Sequence, residues 1–190
     1  MALSLKSTLP ALGRILGMTP SALYERQKLL VLEGLLHAVP GRGPGSGVPA
    51  TPESIATLLI GTFAGFGLEE TGSTARAISE ASAETTCPLT GEKSFRSALA
   101  LILAEQSLAD RTSGLEVVTS LAYATIYFRD EPWTGIIPPP PAPQPPQAKE
   151  SKFRGKVTKV GAIHFNLGMA GPDFGKLAVT TRILLEDQQS

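Results

Sequence analysis

LGRILGMTPSALYERQKLLVLEGLLHAVPGRGPGSG, residues 12–47, spells a helix, a tight turn, a second helix and a glycine-rich tip. Gly17-Met18 interrupts the first apolar periodicity. Thr19 then stands as an N-cap with Pro20 at the first helical position, where a missing N–H costs nothing. Leu23, Leu29, Leu30, Leu32 and Leu35 recur at roughly helical spacing, which places a second helix over 19–33. Gly34 follows it, where a left-handed cap is expected. Leu35 to Val39 is short and apolar and reads as a strand, and Val48 to Thr51 as its returning partner. Pro40 to Gly47 between them cannot be regular structure and reads as a flexible loop.

Working outward, residues 5–16 form the first helix, with Leu9, Leu12, Ile15 and Leu16 on one face and Pro10 expected in its first turn. Thr51-Pro52-Glu53-Ser54 is another start signal, opening a helix that runs to about Ala64 with Ile55, Leu58, Leu59 and Phe63 apolar. Residues 68–94 are poor in large apolar side chains; a small helix over 73–84 is expected, and loop elsewhere. SFRSALALILAEQSLA, residues 94–109, reads as one helix capped by Ser94, with a turn over 110–114. Leu115 to Leu121 and Tyr123 to Arg129 are rich in β-branched and aromatic residues and read as strands.

Pro138 to Pro146 holds seven prolines in nine positions. Such a stretch favours an extended polyproline-type linker, about 28 Å long at about 3.1 Å per residue. Two further strands are expected beyond it, within 153–167 and 177–185. The expected class is α+β: residues 1–66 an α-rich N-terminal unit with a hairpin, 67–132 a mixed α/β region suited to oligomerisation, 133–151 a linker, and 152–190 a hairpin-like segment.

The opening stretch resembles the winged helix-turn-helix family of DNA-binding domains, over about a quarter of the chain. Gly17 matches the family's turn glycine, Gly13 the small residue four positions earlier, and Leu12, Leu16, Met18 and Leu23 the flanking apolar positions. The GRGPGSG tip matches a wing. One slot departs: three residues after Leu23 the family carries an apolar side chain, and here stands Arg26. The resemblance implies that the second helix lies in the major groove with its N-terminal residues at the base edges. Those residues are Thr19, Ser21, Ala22, Tyr24, Glu25 and Lys28, with Arg14 at the end of the first helix. Thr19 and Ser21 can donate to phosphates or bases, Tyr24 can reach a phosphate or pack on a thymine methyl, and Glu25 can accept from a cytosine amino group. Gln27 lies further along, facing the DNA backbone or nothing. Arg42, in the glycine-rich tip, is of the kind drawn into a minor groove.

Charge agrees with that assignment. The net charge is zero, yet residues 1–50 carry five basic and two acidic side chains, whereas 51–148 carry five basic and eleven acidic. A pI near 6.7 argues against an indiscriminate nucleic-acid coat. Lys149, Lys152, Arg154, Lys156 and Lys159 form a second basic run, suited to a DNA backbone, an acidic partner or a protected edge strand.

Other chemistries find little footing. The Gly-rich tip lacks the terminal Gly-Lys-Ser/Thr of a phosphate-binding loop, and Gly91-Glu92-Lys93-Ser94 lacks the upstream glycine spacing. His37 and His164 stand far apart without neighbouring ligands, so no metal or other cofactor and no enzymatic activity is expected. Cys87 has no basic neighbour and reads as an inert thiol. One cysteine and the absence of a signal-peptide pattern in MALSLKSTLPALG fit a cytoplasmic protein, and no run of 18 apolar residues suggests a membrane span.

The expected partners are therefore double-stranded DNA and further copies of the chain, in a dimer or higher oligomer, since paired half-sites call for two-fold symmetry. A sequence-specific transcriptional regulator is the first expectation. Two others remain: a ring-forming packaging component resembling phage terminase small subunits, and an adaptor whose helix-turn-helix and Pro-rich linker serve protein contacts.

Overall fold

A computed structural model of the chain describes residues 3–41, 46–65, 68–82, 86–118, 123–128, 132–135 and 179–181. The Arg42 tip, the Pro-rich stretch, the basic run 149–159, His164 and the strand expected within 153–167 lie outside the described residues. The architecture is α+β: α1 (Leu5–Leu16), α2 (Pro20–Leu32), α3 (Pro52–Phe63), α4 (Leu68–Glu80), α5 (Phe95–Ala104) and α6 (Gln106–Arg111), then β1 (Thr112–Val118), β2 (Tyr123–Phe128) and β3 (Pro132–Gly135).

α1 buries Leu5, Thr8, Leu9, Leu12 and Gly13, so its inner face repeats every three to four residues. Pro10 sits in the body of the helix rather than in its first turn. Its missing N–H falls on the exposed side, where water can satisfy the Lys6 carbonyl it would have met. Gly17 ends α1 in the left-handed conformation, φ 64°. The N–H groups of Gly17 and Met18 both turn back to the Gly13 carbonyl, the latter at 2.9 Å. The Met18 carbonyl folds over Gly13 so closely that a Cβ there would lie 2.5 Å from it. That is why a glycine stands at 13.

α2 starts as the sequence indicates: Thr19 Oγ1 accepts from the Ala22 N–H at 3.2 Å, and Pro20 follows. Gly34 has φ 70°, and the Leu35 and Leu36 N–H groups both close onto the Leu30 carbonyl. This overturns the strand expected over 35–39. Two of its donors are consumed in ending α2, and Pro40 has none. What remains is one bridge, Val39 to Gly47, with both of its hydrogen bonds at 2.8 Å. The returning arm is likewise a single bridge, Ser4 to Pro49, flanked by Leu5 N–H to Val48 and Ala50 N–H to Leu3. The segment before α1 and the two arms of the hairpin thus meet in a minimal three-way junction.

α3 is the centre of the fold. Thr51 and Ser54 form a reciprocal capping box, at 3.1 and 2.9 Å. Every residue from Ser54 to Gly61 is buried, as is Phe63. A helix buried all round must be packed on several sides, and α3 touches α2, α4 and α5. Gly61 lets Leu30 of α2 come close, since a Cβ there would meet its Cδ1 at 2.7 Å. One apolar cluster runs from Leu5 of α1 to Ile126 of β2. The boundary expected at residue 66 therefore falls between two helices that share that core.

α4 starts earlier than the 73–84 helix expected from sequence and ends at Glu80. Besides Ile78 it packs through small residues (Thr71, Gly72 and Ala75), which a search for large apolar side chains passes over. Arg76 donates to the Glu33 carbonyl at the end of α2, tying the two helices together. The single helix expected over 94–109 is two helices, broken where Glu105 turns extended (φ −115°, ψ 118°), and the turn expected over 110–114 is helix and strand. Nothing in Ala104-Glu105-Gln106 signals that break.

The three strands form an antiparallel sheet in the order β1-β2-β3, with Leu115 opposite Ile126 and Ile126 opposite Trp133. β3 occupies residues where the linker was expected to begin. Val179 to Thr181, expected within a strand, form a helical turn. Among the described residues no helix is long and apolar enough to cross a membrane.

Candidate nucleic-acid interface

The outward face of α2 follows from its inward one. Leu23, Gln27 and Leu30 are buried, at positions i, i+4 and i+7. Ser21, Glu25 and Lys28 share the same spacing on the opposite side, and all three are exposed. Thr19 is exposed at the cap, Ala22 and Tyr24 are half-buried at the flank, and Arg14 is exposed on the last turn of α1. The seven described candidate residues thus lie on α1, α2 and the turn between them; the eighth, Arg42, is outside the described residues.

Two of the seven are engaged with each other. Lys28 Nζ is 2.8 Å from Glu25 Oε1. That hydrogen bond, reinforced by the carboxylate's charge, holds the Lys28 ammonium above the usual lysine range. Glu25 is thereby drawn from the free acceptor role expected for it: a cytosine amino group would have to compete with Lys28. Thr19 Oγ1 accepts from the Ala22 N–H, which leaves its own O–H free to donate outward.

Tyr24 is the meeting point of α1 and α2. The ammonium groups of Lys6 and Lys28 each lie 4.9 Å from its ring centroid, within cation–π range. Lys6 is a residue that sequence reasoning missed as a member of this face. The only hint in the sequence is that it belongs to the basic excess of the first fifty residues; its approach to Tyr24 is purely tertiary.

Gln27 departs from expectation. It is only 6% exposed, turned inward, with its Oε1 unpartnered. It lines an apolar cleft of about 380 Å³ together with Tyr24, Val31, Leu32 and Val48. Arg26, the departure from the family pattern, is half-buried and lies along its own helix, Nη1 3.4 Å from the Ala22 carbonyl. Its Nε is buried without a partner, and that burial lowers its pKa.

On the far side of the hairpin base a second cleft, of about 440 Å³, is lined by His37, Val39, Pro49, Glu53 and Arg96 among others. Gly91 and Ser94 serve local structure, Gly91 at φ 75° in a turn and Ser94 capping α5. Cys87 is buried. No protein-family model matches the chain, and no match is found among curated proteins or solved structures.

Proposed function

We propose that this protein binds double-stranded DNA sequence-specifically as a transcriptional regulator, acting as a dimer or higher oligomer. In this reading α1 and α2 are a helix-turn-helix, α2 enters the major groove, and the hairpin based at Val39 and Gly47 is its wing. The observation that carries it is the exposed row Thr19, Ser21, Glu25 and Lys28 along α2, presented by a turn whose geometry depends on Gly13 and Gly17. Such a row supplies donors, an acceptor and a cation at base-edge reach. The Val39–Gly47 pairing supports the wing reading by bringing the two arms of a hairpin together shortly after α2.

The test is equilibrium binding of the purified chain to its own upstream region and to random-sequence duplex, at about 50 and about 200 mM salt. Arg14 and Lys28 together are expected to make affinity fall at least about tenfold across that range. A preference for one sequence should persist at the higher salt. No binding to either duplex at the lower salt would refute the proposal.

One observation favours an adaptor role instead. Leu32 is 83% exposed and Val39 49% exposed, and Leu32 borders the apolar cleft on α2. Large apolar side chains bared beside a cleft suit a protein partner. In that reading mutation of Leu32 abolishes a protein contact and leaves DNA irrelevant.

A further inference from the structure

We propose that Lys6, Tyr24 and Lys28 form one phosphate-binding clamp across α1 and α2, with Lys6 as its sequence-independent anchor. The inference rests on the DNA-binding reading and adds a residue and a division of labour to it.

Three observations converge. First, both ammonium groups lie 4.9 Å from the centroid of the same ring, so they are within about 10 Å of each other. Two ammonium groups gathered about one ring raise the positive potential that an anion beside it would meet. Second, they are not equivalent. Lys28 is paired with Glu25, whereas Lys6 is exposed and has no ion-pair partner among the described residues. Third, Lys6 sits in the first turn of α1, where no acidic residue balances it. A helix N-terminus already carries partial positive charge and disfavours a cation, so an acid is the common choice there. A lysine in that place raises the local positive potential, which is what a phosphodiester oxygen would meet.

The tyrosine supplies the positioning. Its ring is half-buried between the helices, which fixes it. The ring faces hold two otherwise flexible lysine side chains near one place, so less freedom is lost when an anion arrives. The hydroxyl at its edge can donate to the same phosphate. Because a phosphate is the same beside every base, this clamp sets register and affinity; Lys28 drawn to the phosphate releases Glu25, which with Ser21 is left to read sequence.

The experiment is a salt titration of duplex binding by fluorescence anisotropy, on the preferred and on a random-sequence duplex, for the wild-type chain and for Lys6→Ala, Lys6→Gln and Lys6→Arg. With Lys6 on a phosphate, Lys6→Ala and Lys6→Gln lower the slope of log affinity against log salt by about 0.9 per bound protomer. Between about 50 and about 200 mM that makes the loss of affinity about 3.5-fold shallower. The weakening is alike on both duplexes, Lys6→Arg keeps the wild-type slope, and melting temperature is unchanged. An unchanged slope in Lys6→Ala and Lys6→Gln, or a loss confined to the preferred duplex, overturns the clamp while leaving DNA binding intact. No duplex binding by the wild-type chain overturns both.

Discussion

Gly13→Val is expected to lower the unfolding free energy by about 3 kcal/mol, the upper part of the range for overpacking a close contact. An added Cβ at 13 would lie 2.5 Å from the Met18 carbonyl oxygen. That neighbour is backbone, pinned by the Met18 N–H bond to the Gly13 carbonyl, so it cannot swing aside like a side-chain end. Even alanine gains only about 1 kcal/mol from helix propensity against the clash. For a chain of this size the valine loss corresponds to roughly 6–12 °C in melting temperature. Thermal denaturation followed by circular dichroism measures it. Gly61 offers the contrast, since a Cβ there meets the movable tip of Leu30. A Gly13→Val protein that melts with the wild type would show that the α1–α2 approach is not what holds the turn.

Tyr24→Ala is expected to weaken binding about 10- to 100-fold on preferred and random duplexes alike. The lost hydrogen bond to a charged group is worth about 1.5–3 kcal/mol, and the two lysines lose the ring that gathers them. Because Tyr24 is half-buried, Tyr24→Phe is the needed companion: it keeps the ring and its packing and removes only the hydroxyl. Anisotropy on preferred and random duplexes should show Tyr24→Phe retaining the salt slope with a smaller loss. Wild-type affinity in both variants would remove Tyr24 from the DNA face.

The parts of the fold that could be read in the sequence are those with local causes. Thr19-Pro20 and Thr51-Pro52-Glu53-Ser54 start helices by hydrogen bonds within four residues of themselves. Gly17 and Gly34 take left-handed conformations that other residues adopt only at a cost. What escaped depends on distant partners. α4 starts earlier than expected because Thr71, Gly72, Ala75 and their neighbours pack against helices already in place. The strand over 35–39 fails because Leu30 captures two of its N–H groups, a competition that apolar composition cannot reveal.

The same division runs through the candidate site. Ser21, Glu25 and Lys28 are outward because Leu23 and Leu30 must be inward, and that follows from helix geometry alone. Gln27 was expected to face the DNA backbone or nothing; its place at i+4 from Leu23 and three before Leu30 buries it with them instead. Lys6 lies eighteen positions before Tyr24, and only the packing of α1 on α2 brings the two together. The Glu25–Lys28 pair was within reach of the sequence, since residues three apart on a helix are neighbours.

The most direct measurement is amide chemical-shift mapping of the isotope-labelled chain during titration with its upstream duplex. DNA binding through α2 predicts that the largest perturbations fall on Thr19, Ser21, Ala22, Tyr24, Glu25 and Lys28, with Lys6 and Arg14 beside them. Perturbations confined to Val31, Leu32, Ala38 and Val39, or none at all, would contradict it.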